Sequence, residues 1–451
     1  MSASSSVLID HRCLDSVLGE CLDAPRWLVG FSGGVDSTAL LHLLQRWRRA
    51  HSGAPPLAAI HINHAMQSSA DDWQVHCDWI CKFLQIPLIA RQVTVQGTSE
   101  AAAREARYAV FEGLVEPGDM LFLGHHLDDQ VETFFLRLMR GSGVRGLAAM
   151  APTRALAGGQ LVRPLLQVTR AQLEDYTQHH GLRTIEDPSN ADTAMDRNFL
   201  RHQLLPVMAR RWPGYRDTVL RASTHMAVAN AALEEALPAP ATIRNSMGDP
   251  GVAVAELSGA SFDAACLKLR HWLQRQGCDA PDKTVVEEFI RQLRESSPQA
   301  APRLQCRTYA LQRYQDVVYL LPEPREEELG QQVLLVPGGV ADVPGVGRLS
   351  LEPTSAHGLL LPRDATLRVV WRQGGERCRP VGRPRGTTLK KLLQEADIPP
   401  WWRHRVPLLE WDGQLLAIGD LWACQSDHYR AAAPPAQPLW HLCWQRHTNA
   451  A

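Results

Sequence analysis

The 451-residue sequence lacks several features that would place it in a specialised class of protein. No apolar run approaches the roughly 18 residues of a membrane-spanning helix, so we expect no membrane span and no membrane partner. Residues 1–13 have neither the apolar core of a secretory signal nor the arginine-rich pattern of an organelle-targeting peptide. These absences predict a cytoplasmic location.

The sequence also lacks a C-x-x-C pair, although it contains ten cysteines. Cys77 and Cys81 are four residues apart on a predicted helix, and the other eight are scattered. We therefore expect reduced thiols rather than a zinc site or a disulfide scaffold. A large charge excess is absent too, since the formal net charge is −1. A nucleic-acid surface would have to come from local clustering of basic residues.

The first 200 residues alternate strand and helix patterns. Apolar runs predict buried strands at Trp27–Gly30, Leu57–Ile62, Pro87–Val93 and Met120–Leu123. Helical patterns follow them at Val35–Arg49, Ser69–Gln85, Thr98–Val115 and Asp128–Arg140, with a further helix at Thr169–His180. Repeated strand–helix units predict an α/β fold with a doubly wound parallel sheet covered on both faces. Ligands of such sheets bind beyond the carboxyl ends of the strands.

The alternation stops near Trp212. Helical patterns follow at Tyr215–Ala236, Ala260–Gln276 and Lys283–Ser296, then a hairpin pattern at Arg303–Leu321 and a polar linker at 322–331. The last hundred residues contain short strands, one helix at Thr388–Ala396, and an Asp412-Gly413 hairpin turn. These changes predict three domains, at 1–213, 214–330 and 331–451. The middle one is mainly helical and the last is a small α+β domain.

A short glycine-rich turn follows the first predicted strand. Residues Ser32–Ser37 read Ser-Gly-Gly-Val-Asp-Ser, and we call them the glycine loop. Glycines let the backbone approach a ligand closely, and the amides at the start of the following helix form an anion site. The loop has no lysine, unlike a Walker loop. Asp36 would repel phosphate unless Mg²⁺ lay between them, so the pattern predicts a phosphate site rather than a purely structural turn.

A second polar motif follows the fourth predicted strand. Residues 124–133 read Gly-His-His-Leu-Asp-Asp-Gln-Val-Glu-Thr. If the helix begins near Asp128, that residue can cap it. Asp128 and Asp129 precede Glu132 by four and three positions, so the three carboxylates share a face that could hold Mg²⁺ or an ammonium group. An acidic helix start favoured by the helix dipole is the alternative, but it leaves the histidine pair unexplained.

These motifs resemble those of the tRNA(Ile)-lysidine synthetases, which belong to the PP-loop ATP pyrophosphatase superfamily. Further blocks of the resemblance are His61–His64, Ala103–Tyr108, Arg140–Gly143, Arg163–Leu166, Glu186–Asn190 and Arg197–Arg201. Each block is weak alone, but their order covers nearly all of residues 1–210. The resemblance therefore implies a PP-loop catalytic domain at 1–213 and tRNA-binding domains after it.

The resemblance implies a ligase that uses ATP and Mg²⁺ to form a carbon–nitrogen bond. ATP would adenylate C2 of the wobble cytidine in tRNA(Ile) with a CAU anticodon, and free L-lysine would then displace AMP. The implied catalytic residues are Asp36, His125, Asp128, Asp129 and Glu132, with Asp36 as the metal ligand. The implied ATP-binding residues are Ser32, Gly33, Gly34, Val35, Asp36, Ser37, His61 and Arg104. Homodimer formation is left open.

The C-terminal region carries a local excess of positive charge. Residues 372–405 contain nine lysines and arginines against three acids. Basic residues interleaved with glycines, and with Trp401 and Trp402 as exposed aromatics, suit phosphate contact and base stacking, although many basic runs are only solvated faces. The same stretch resembles the C-terminal domain of long lysidine synthetases. The expected tRNA-binding residues are Arg197, Arg201, Arg377, Arg379, Arg383, Arg385, Lys390 and Lys391.

Three other functions compete with this interpretation. A PP-loop tRNA thiolase would activate the same kind of carbonyl but needs reactive cysteines or an iron–sulfur cluster. A glutamine-dependent synthetase would need an ammonia-generating domain, and only about thirty residues precede the glycine loop. A non-catalytic tRNA-binding protein would not need the intact Ser-Gly-Gly-x-Asp-Ser motif.

Overall fold

The computed structural model describes residues 8–63, 70–93, 100–188, 192–297, 300–322, 333–434 and 437–446. The chain forms two compact units, residues 1–233 and 234–451. The predicted three-domain boundaries stay a prediction. Within the described ranges, no helix is both long enough and apolar enough to cross a membrane.

The first unit is built on a six-stranded sheet. Its strands are β1 (Trp27–Gly30), β2 (Leu57–Asn63), β3 (Leu88–Gln92), β4 (Met120–Phe122), β5 (Thr153–Leu156) and β6 (Gly159–Val162). The spatial order is β3-β2-β1-β4-β6-β5, and all neighbours are parallel except β5 and β6. The four predicted strands are confirmed. The edge hairpin was not predicted, because three of the four residues of β5 are exposed and leave no apolar run.

Helices cover both faces of this sheet. The longer ones are Val35–Ala50, Ala70–Leu84, Glu100–Leu114, Leu127–Met139, Arg170–His179 and Tyr215–Ala236. Shorter ones lie at His11–Leu14, Asp15–Leu18, Gly19–Cys21, Val144–Leu147, Asp196–Phe199 and Leu205–Arg211, with a π-helical turn at Leu200–Leu204. The predicted helices are confirmed to within about two residues, although the starts predicted at Ser69 and Thr98 lie outside the described residues.

Alternate residues of the central strand β1 pack into two separate apolar cores. Trp27 and Val29 pack into one apolar cluster, and Leu28 packs into another. The neighbouring strand β4 behaves in the same way, with Phe122 in the first cluster and Leu121 in the second. Since successive side chains of a strand point to opposite faces, both faces of the sheet are buried. The predicted doubly wound α/β class is confirmed.

The strand order reverses beside β1, and this reversal positions the polar motifs. The chain leaves β1 for β2 and β3, then returns to β4 on the other side of β1. The glycine loop after β1 and residues 124–126 after β4 therefore emerge side by side, as expected at a topological switch point. Gly124 allows this approach, since a Cβ there would lie 3.0 Å from the Asp36 carbonyl oxygen and 3.2 Å from the Ser37 nitrogen.

The second unit begins with helices packed on an antiparallel sheet. Its helices are Val254–Ser258, Phe262–Arg275 and Lys283–Glu295. The strands, in spatial order, are Ile243–Arg244, Pro250–Ala253, Val317–Pro322, Tyr309–Tyr314 and Arg303–Gln305. The predicted hairpin is confirmed, and its turn contains Gln315 with a φ of 55°. Residues 323–331 of the predicted linker lie outside the described residues.

The described residues from 333 onwards form two five-stranded sheets, a two-stranded ribbon and one helix. One sheet comprises Val333–Leu335, Leu367–Val370, Leu408–Trp411, Gln414–Ile418 and Trp422–Ala423. The other comprises Val340–Val343, Gly347–Thr354, Leu439–Arg446, Gly358–Leu359 and Tyr429–Arg430. The ribbon pairs Arg377–Cys378 with Thr387–Thr388, and the helix is Leu389–Glu395. The predicted Asp412-Gly413 turn and helix are confirmed.

One expectation about the cysteines was wrong. Cys378 and Cys424 form a disulfide, with 6.0 Å between their Cα atoms. Pro380 bridges to Cys424 and the Val381 N–H donates to the Ala423 carbonyl oxygen, which brings the two segments together. Because the two cysteines are 46 residues apart, their spacing gave no indication of the pairing.

A Gly124→Ala substitution should lower the unfolding midpoint in urea, measured by tryptophan fluorescence. The added methyl would press on the Asp36 and Ser37 backbone, and overpacking of this kind costs about 1–3 kcal/mol. Gly113→Ala is the control, because Gly113 lies in the helix Glu100–Leu114 and a Cβ there would meet no atom within 4 Å. That substitution should leave the midpoint unchanged or raise it. Equal effects of the two substitutions would contradict the packing argument.

Candidate active site

The glycine loop is held in shape by its own serines. The Ser37 hydroxyl accepts from the Ser32 backbone N–H at 3.2 Å and lies 3.0 Å from the Ser32 hydroxyl. The same hydroxyl donates to the Gly34 carbonyl oxygen, also at 3.2 Å. The helix Val35–Ala50 begins directly after Gly34. Because the N–H groups of a first helical turn have no intrahelical acceptor, this loop has the geometry of an anion site.

The glycine loop also contacts Ile185, which lies in the segment 182–188. Gly33 has a φ of 83°, and a Cβ there would lie 2.8 Å from Ile185 Cδ1 and 3.0 Å from Cys77 Sγ. The Ile185 N–H donates to the Gly33 carbonyl oxygen at 2.9 Å. Glycine at this position is therefore required both by the backbone conformation and by the lack of space. Ser189 and Asn190, from the same block of the sequence, lie outside the described residues.

His61 supports the strand that precedes the loop. Its Nδ1 lies 3.0 Å from the Phe31 carbonyl oxygen, so this nitrogen carries the proton and donates it. Burial lowers the pKa of His61 below its usual value, despite the opposing effect of this hydrogen bond. A neutral His61 therefore fixes the end of β1. Its predicted contact with ATP stays a prediction, and the neighbouring His64 lies outside the described residues.

His126 lies at the centre of the carboxylate cluster. Its Nε2 is 3.6 Å from Asp36 Oδ1 and 3.5 Å from Asp129 Oδ2. Its Nδ1 is 3.9 Å from Asp128 Oδ2, and its side chain is only 1% exposed. Burial alone would lower the pKa of His126, but the three neighbouring carboxylates raise it above its usual value. The imidazole therefore offsets part of the mutual repulsion of the aspartates.

Asp36 is the member of the cluster that best fits a metal ion. Burial would raise the pKa of Asp36, but the neighbouring His126 and the charges of two arginines hold it below its usual range. Arg170 Nη1 approaches Asp36 Oδ2 at 3.4 Å. Asp36 Oδ1 is buried and accepts no hydrogen bond from the described residues. A buried, ionised carboxylate oxygen without a donor is a suitable Mg²⁺ ligand.

Glu132 forms a buried ion pair instead of facing an open site. Arg201 donates from Nε to Glu132 Oε1 at 2.7 Å and from Nη2 to Oε2 at 3.0 Å. Arg197 Nε lies 3.4 Å from the same Oε2. Burial raises the pKa of Glu132 above its usual value, and Arg201 opposes that rise. The two arginines thus tie the turn after Asp196 to the helix Leu127–Met139, and their predicted contact with tRNA stays a prediction.

The predicted capping role of Asp128 was wrong. The helix begins one residue earlier, at Leu127, so Asp129 occupies the third position and accepts from the His126 N–H at 3.0 Å. Asp128 instead accepts from the Arg170 N–H at 2.8 Å, at the start of a different helix. Its other oxygen accepts from Arg216 Nε at 2.5 Å. Asp128 therefore joins three helices.

Two further residues predicted for the site are His125 and Arg104. Burial lowers the pKa of His125 to about 4, although Asp129 opposes the shift, so the ring is neutral at neutral pH. Its Nδ1 is buried and has no hydrogen-bond partner among the described residues. Arg104 is exposed, with its guanidinium 4.9 Å above the Tyr108 ring. Whether either residue touches ATP or acts in catalysis stays a prediction.

Three residues that approach the carboxylates of the site were not identified as functional from the sequence. His126 was named only as half of a histidine pair, and its neighbour was chosen for catalysis. Arg170 and Arg216 are each the second residue of a predicted helix. An arginine at such a position does not by itself indicate a function. Only the crossing of these helices beside Asp128 gives them a role.

The basic C-terminal residues belong to the second unit. Arg377, Arg379, Arg383, Arg385, Lys390 and Lys391 are all exposed. Arg383 donates to Glu395 at 2.7 Å, which neutralises part of its charge. The two neighbouring tryptophans contradict the prediction of exposed stacking groups. Trp402 is buried, and the indole N–H groups of Trp401 and Trp402 both donate to Asp249 Oδ2, at 2.9 and 2.7 Å.

A glycine-rich turn at the switch point of a doubly wound sheet is typical of nucleotide-binding α/β proteins. A family model described as a PP-loop domain matches residues 9–208. Models described as a TilS substrate binding domain and a TilS substrate C-terminal domain match residues 253–319 and 367–444.

The chain belongs to the tRNA(Ile)-lysidine synthase family. It is 40% identical to the tRNA(Ile)-lysidine synthase of Pseudomonas putida over 413 residues, which span 89% of this chain and 93% of the relative. It is 37% identical to that of Pseudomonas aeruginosa, with 98% of each chain covered. The corresponding enzyme of Pectobacterium atrosepticum is 36% identical, with 97% of this chain and 98% of the relative covered.

Solved structures resemble parts of the chain. The U34-tRNA thiolase NcsA from Methanococcus maripaludis aligns with 48% of this chain and 77% of its own, at 17% identity and a TM-score of 0.41. A TilS C-terminal domain aligns with 26% of this chain and 98% of its own, at 21% identity and a TM-score of 0.22.

An Arg201→Met substitution should destabilise the protein by about 3 kcal/mol at neutral pH, because it leaves the buried Glu132 carboxyl group without its bidentate partner. Adding Glu132→Gln to the same chain should recover part of this loss. Arg12→Met is the control, because Arg12 pairs with Asp10 at an exposed position and should change stability by less than about 1 kcal/mol. Urea unfolding measures all three.

The same variant should show a characteristic pH dependence. Burial holds the pKa of Glu132 above its unfolded value, so the folded state takes up a proton more readily than the unfolded state. Without Arg201 that pKa rises further. The loss of stability in Arg201→Met should therefore shrink as the pH falls through the raised pKa, and a pH-independent loss would contradict the assignment to Glu132.

Proposed function

We propose that this protein attaches L-lysine to C2 of the wobble cytidine of tRNA(Ile) with a CAU anticodon, using ATP and releasing AMP and pyrophosphate. The observation that carries the proposal is the glycine loop beside the His126 carboxylate cluster, in a chain that belongs to the lysidine synthase family. A pyrimidine carbonyl oxygen is a poor leaving group, whereas AMP is a good one. Adenylation before amine attack solves this chemical problem.

In the first step, the glycine loop binds the β and γ phosphates of ATP through its amides and the hydroxyls of Ser32 and Ser37. The cytidine C2 oxygen attacks the α-phosphorus, and the bond from that phosphorus to the β-bridging oxygen breaks, which releases pyrophosphate. Asp36 would hold Mg²⁺, which supplies positive charge against the phosphates when bound. His126 keeps Asp36 ionised and in place.

In the second step, the ε-amine of lysine attacks C2 and forms the new carbon–nitrogen bond. The C2–O bond breaks and its electron pair leaves with AMP, while the amine loses a proton. We propose that His125 accepts this proton, because its buried Nδ1 has no hydrogen-bond partner among the described residues. We propose that Asp128 and Asp129 attract the ammonium form of lysine before the proton is lost, with Glu132 holding the helix that carries them.

The burial of Cys77 and Cys81 argues against a thiolase that uses either residue as its nucleophile. Burial raises the pKa of Cys77 and of Cys81 to about 12, so neither forms a thiolate at neutral pH. Both pack into the apolar core of the first unit. Sulfur transfer needs a nucleophilic thiolate, and these two residues cannot supply one.

We further propose that residues 214–330 and 331–451 bind the tRNA, with the six exposed basic residues at 377–391 contacting phosphates. Enough contact is needed to hold the anticodon loop while the target base leaves its stack. A homodimer stays a hypothesis that sedimentation of the purified protein would test.

Asp36→Asn should abolish tRNA-dependent exchange of labelled pyrophosphate into ATP, and with it the incorporation of labelled lysine into unmodified tRNA(Ile). The amide cannot supply the anionic oxygen that Mg²⁺ needs. Asp23→Asn is the matched control, because Asp23 is exposed and outside the loop, and it should keep both activities. Exchange at the wild-type rate in Asp36→Asn would refute the metal assignment. A wild-type protein that never incorporates lysine would refute the function.

Arg385→Ala should weaken tRNA binding and reduce the slope of log affinity against log salt by about one unit, as expected when one phosphate contact is lost. Arg363→Ala is the control, because Arg363 is exposed in the same unit but lies outside the basic region. Filter binding across a series of salt concentrations measures both slopes. Identical slopes for the two variants would contradict the proposal that the basic region contacts tRNA phosphates.

A further inference from the structure

The outward face of the C-terminal sheet carries three metal-ligating side chains that the adenylation chemistry does not use. The strands Gly347–Thr354 and Leu439–Arg446 pair antiparallel along their whole length. This register sets Glu352 directly opposite His441, and Cys443 lies two residues further along the second strand. Since alternate residues of a strand share a face, all three side chains lie on the same side of the sheet.

The backbone beneath these side chains is firmly held. Leu351, Leu442 and Trp444, which alternate with them along the two strands, are at most 4% exposed and belong to the apolar core. A continuous ladder and a buried opposite face fix the positions of the three Cβ atoms. The cluster therefore depends on a rigid element and not on a loop.

The ligating atoms are already close together. One carboxylate oxygen of Glu352, one ring nitrogen of His441 and the Cys443 sulfur lie within 4.8 Å of one another. His441 Nε2 is 3.0 Å from Cys443 Sγ. The Ser350 hydroxyl donates to Glu352 Oε1 at 2.8 Å, which orients the carboxylate. Ligands that surround a zinc ion at about 2.0–2.3 Å are separated by roughly 3–4 Å, so small side-chain rotations suffice.

The ligand types of Glu352, His441 and Cys443 favour some metal ions over others. A thiolate, an imidazole and a carboxylate together suit Zn²⁺, whereas Mg²⁺ and Ca²⁺ prefer oxygen ligands alone. The nearby Asp420 is engaged with Arg446, whose Nη2 lies 2.6 Å from Asp420 Oδ1. Three protein ligands leave the fourth tetrahedral position to water.

We propose that Glu352, His441 and Cys443 form a zinc-binding site on the C-terminal sheet, separate from the nucleotide site. On binding, the Cys443 thiol loses its proton to solvent and the sulfur–zinc bond forms. Because this geometry exists only in the folded sheet, zinc stabilises the second unit by mass action.

The experiment measures zinc binding to the full-length protein in the presence of excess Mg²⁺, which occupies the oxygen-only sites. We expect one zinc ion to be taken from a chromophoric chelator. Cobalt substituted at the site should show a thiolate-to-metal charge-transfer band. Cys443→Ser and His441→Gln should each weaken zinc binding by at least about tenfold, and Cys443→Ser should also abolish the cobalt band.

Cys13→Ser is the matched control, because Cys13 is an exposed free thiol in the first unit. It should keep both the zinc affinity and the cobalt band. Both variants at the site should unfold at the wild-type temperature when a chelator is present, because His441 is exposed and Cys443 is only partly buried. No zinc uptake by the wild-type protein, or uptake that neither substitution changes, would overturn the proposal.

Discussion

The site depends on the balance of charge around His126. Three aspartates approach this one imidazole, and Glu132 is buried nearby. Carboxylates gathered at such distances repel one another strongly when water is excluded. This repulsion is offset by His126, whose pKa the carboxylates raise, and by arginines that approach from several directions. The glycine loop can then present an ionised Asp36 at the start of its helix.

The compensating cations come from distant parts of the chain. Arg170 begins the helix that follows the edge hairpin, Arg201 lies in the π-helical turn, and Arg216 lies on the helix Tyr215–Ala236. Each contacts a different carboxylate of the cluster. The carboxylates beside the glycine loop therefore have their compensating cations only when residues 170–216 have packed against them. This coupling explains why the catalytic unit extends well beyond the last strand of its sheet.

Much of the fold could be predicted from the sequence because the relevant signals are local. The buried strands are apolar runs, and the helices have strong amphipathic patterns, so both were placed to within about two residues. The glycine loop was recognised from its Ser-Gly-Gly-Val-Asp-Ser motif after a predicted strand, and the structure shows why glycine is needed, since Gly33 has a positive φ and no room for a Cβ. The edge strand β5 was missed because its residues are mostly exposed. The disulfide was missed because its cysteines are far apart in sequence.

The hydrogen-bond partners of the polar residues could not be predicted from local sequence in the same way. Asp128 was expected to cap its own helix but caps another one, and Trp402 was expected to stack on RNA but is buried against Asp249. A carboxylate or an indole can satisfy its hydrogen bonds with many partners, and local sequence does not choose among them. The sequence by itself determined which segments form strands, helices and the phosphate turn, since these depend on neighbours a few residues away. Only the tertiary structure decided which charges meet, because an ion pair depends on distances between segments that the chain brings together from far apart.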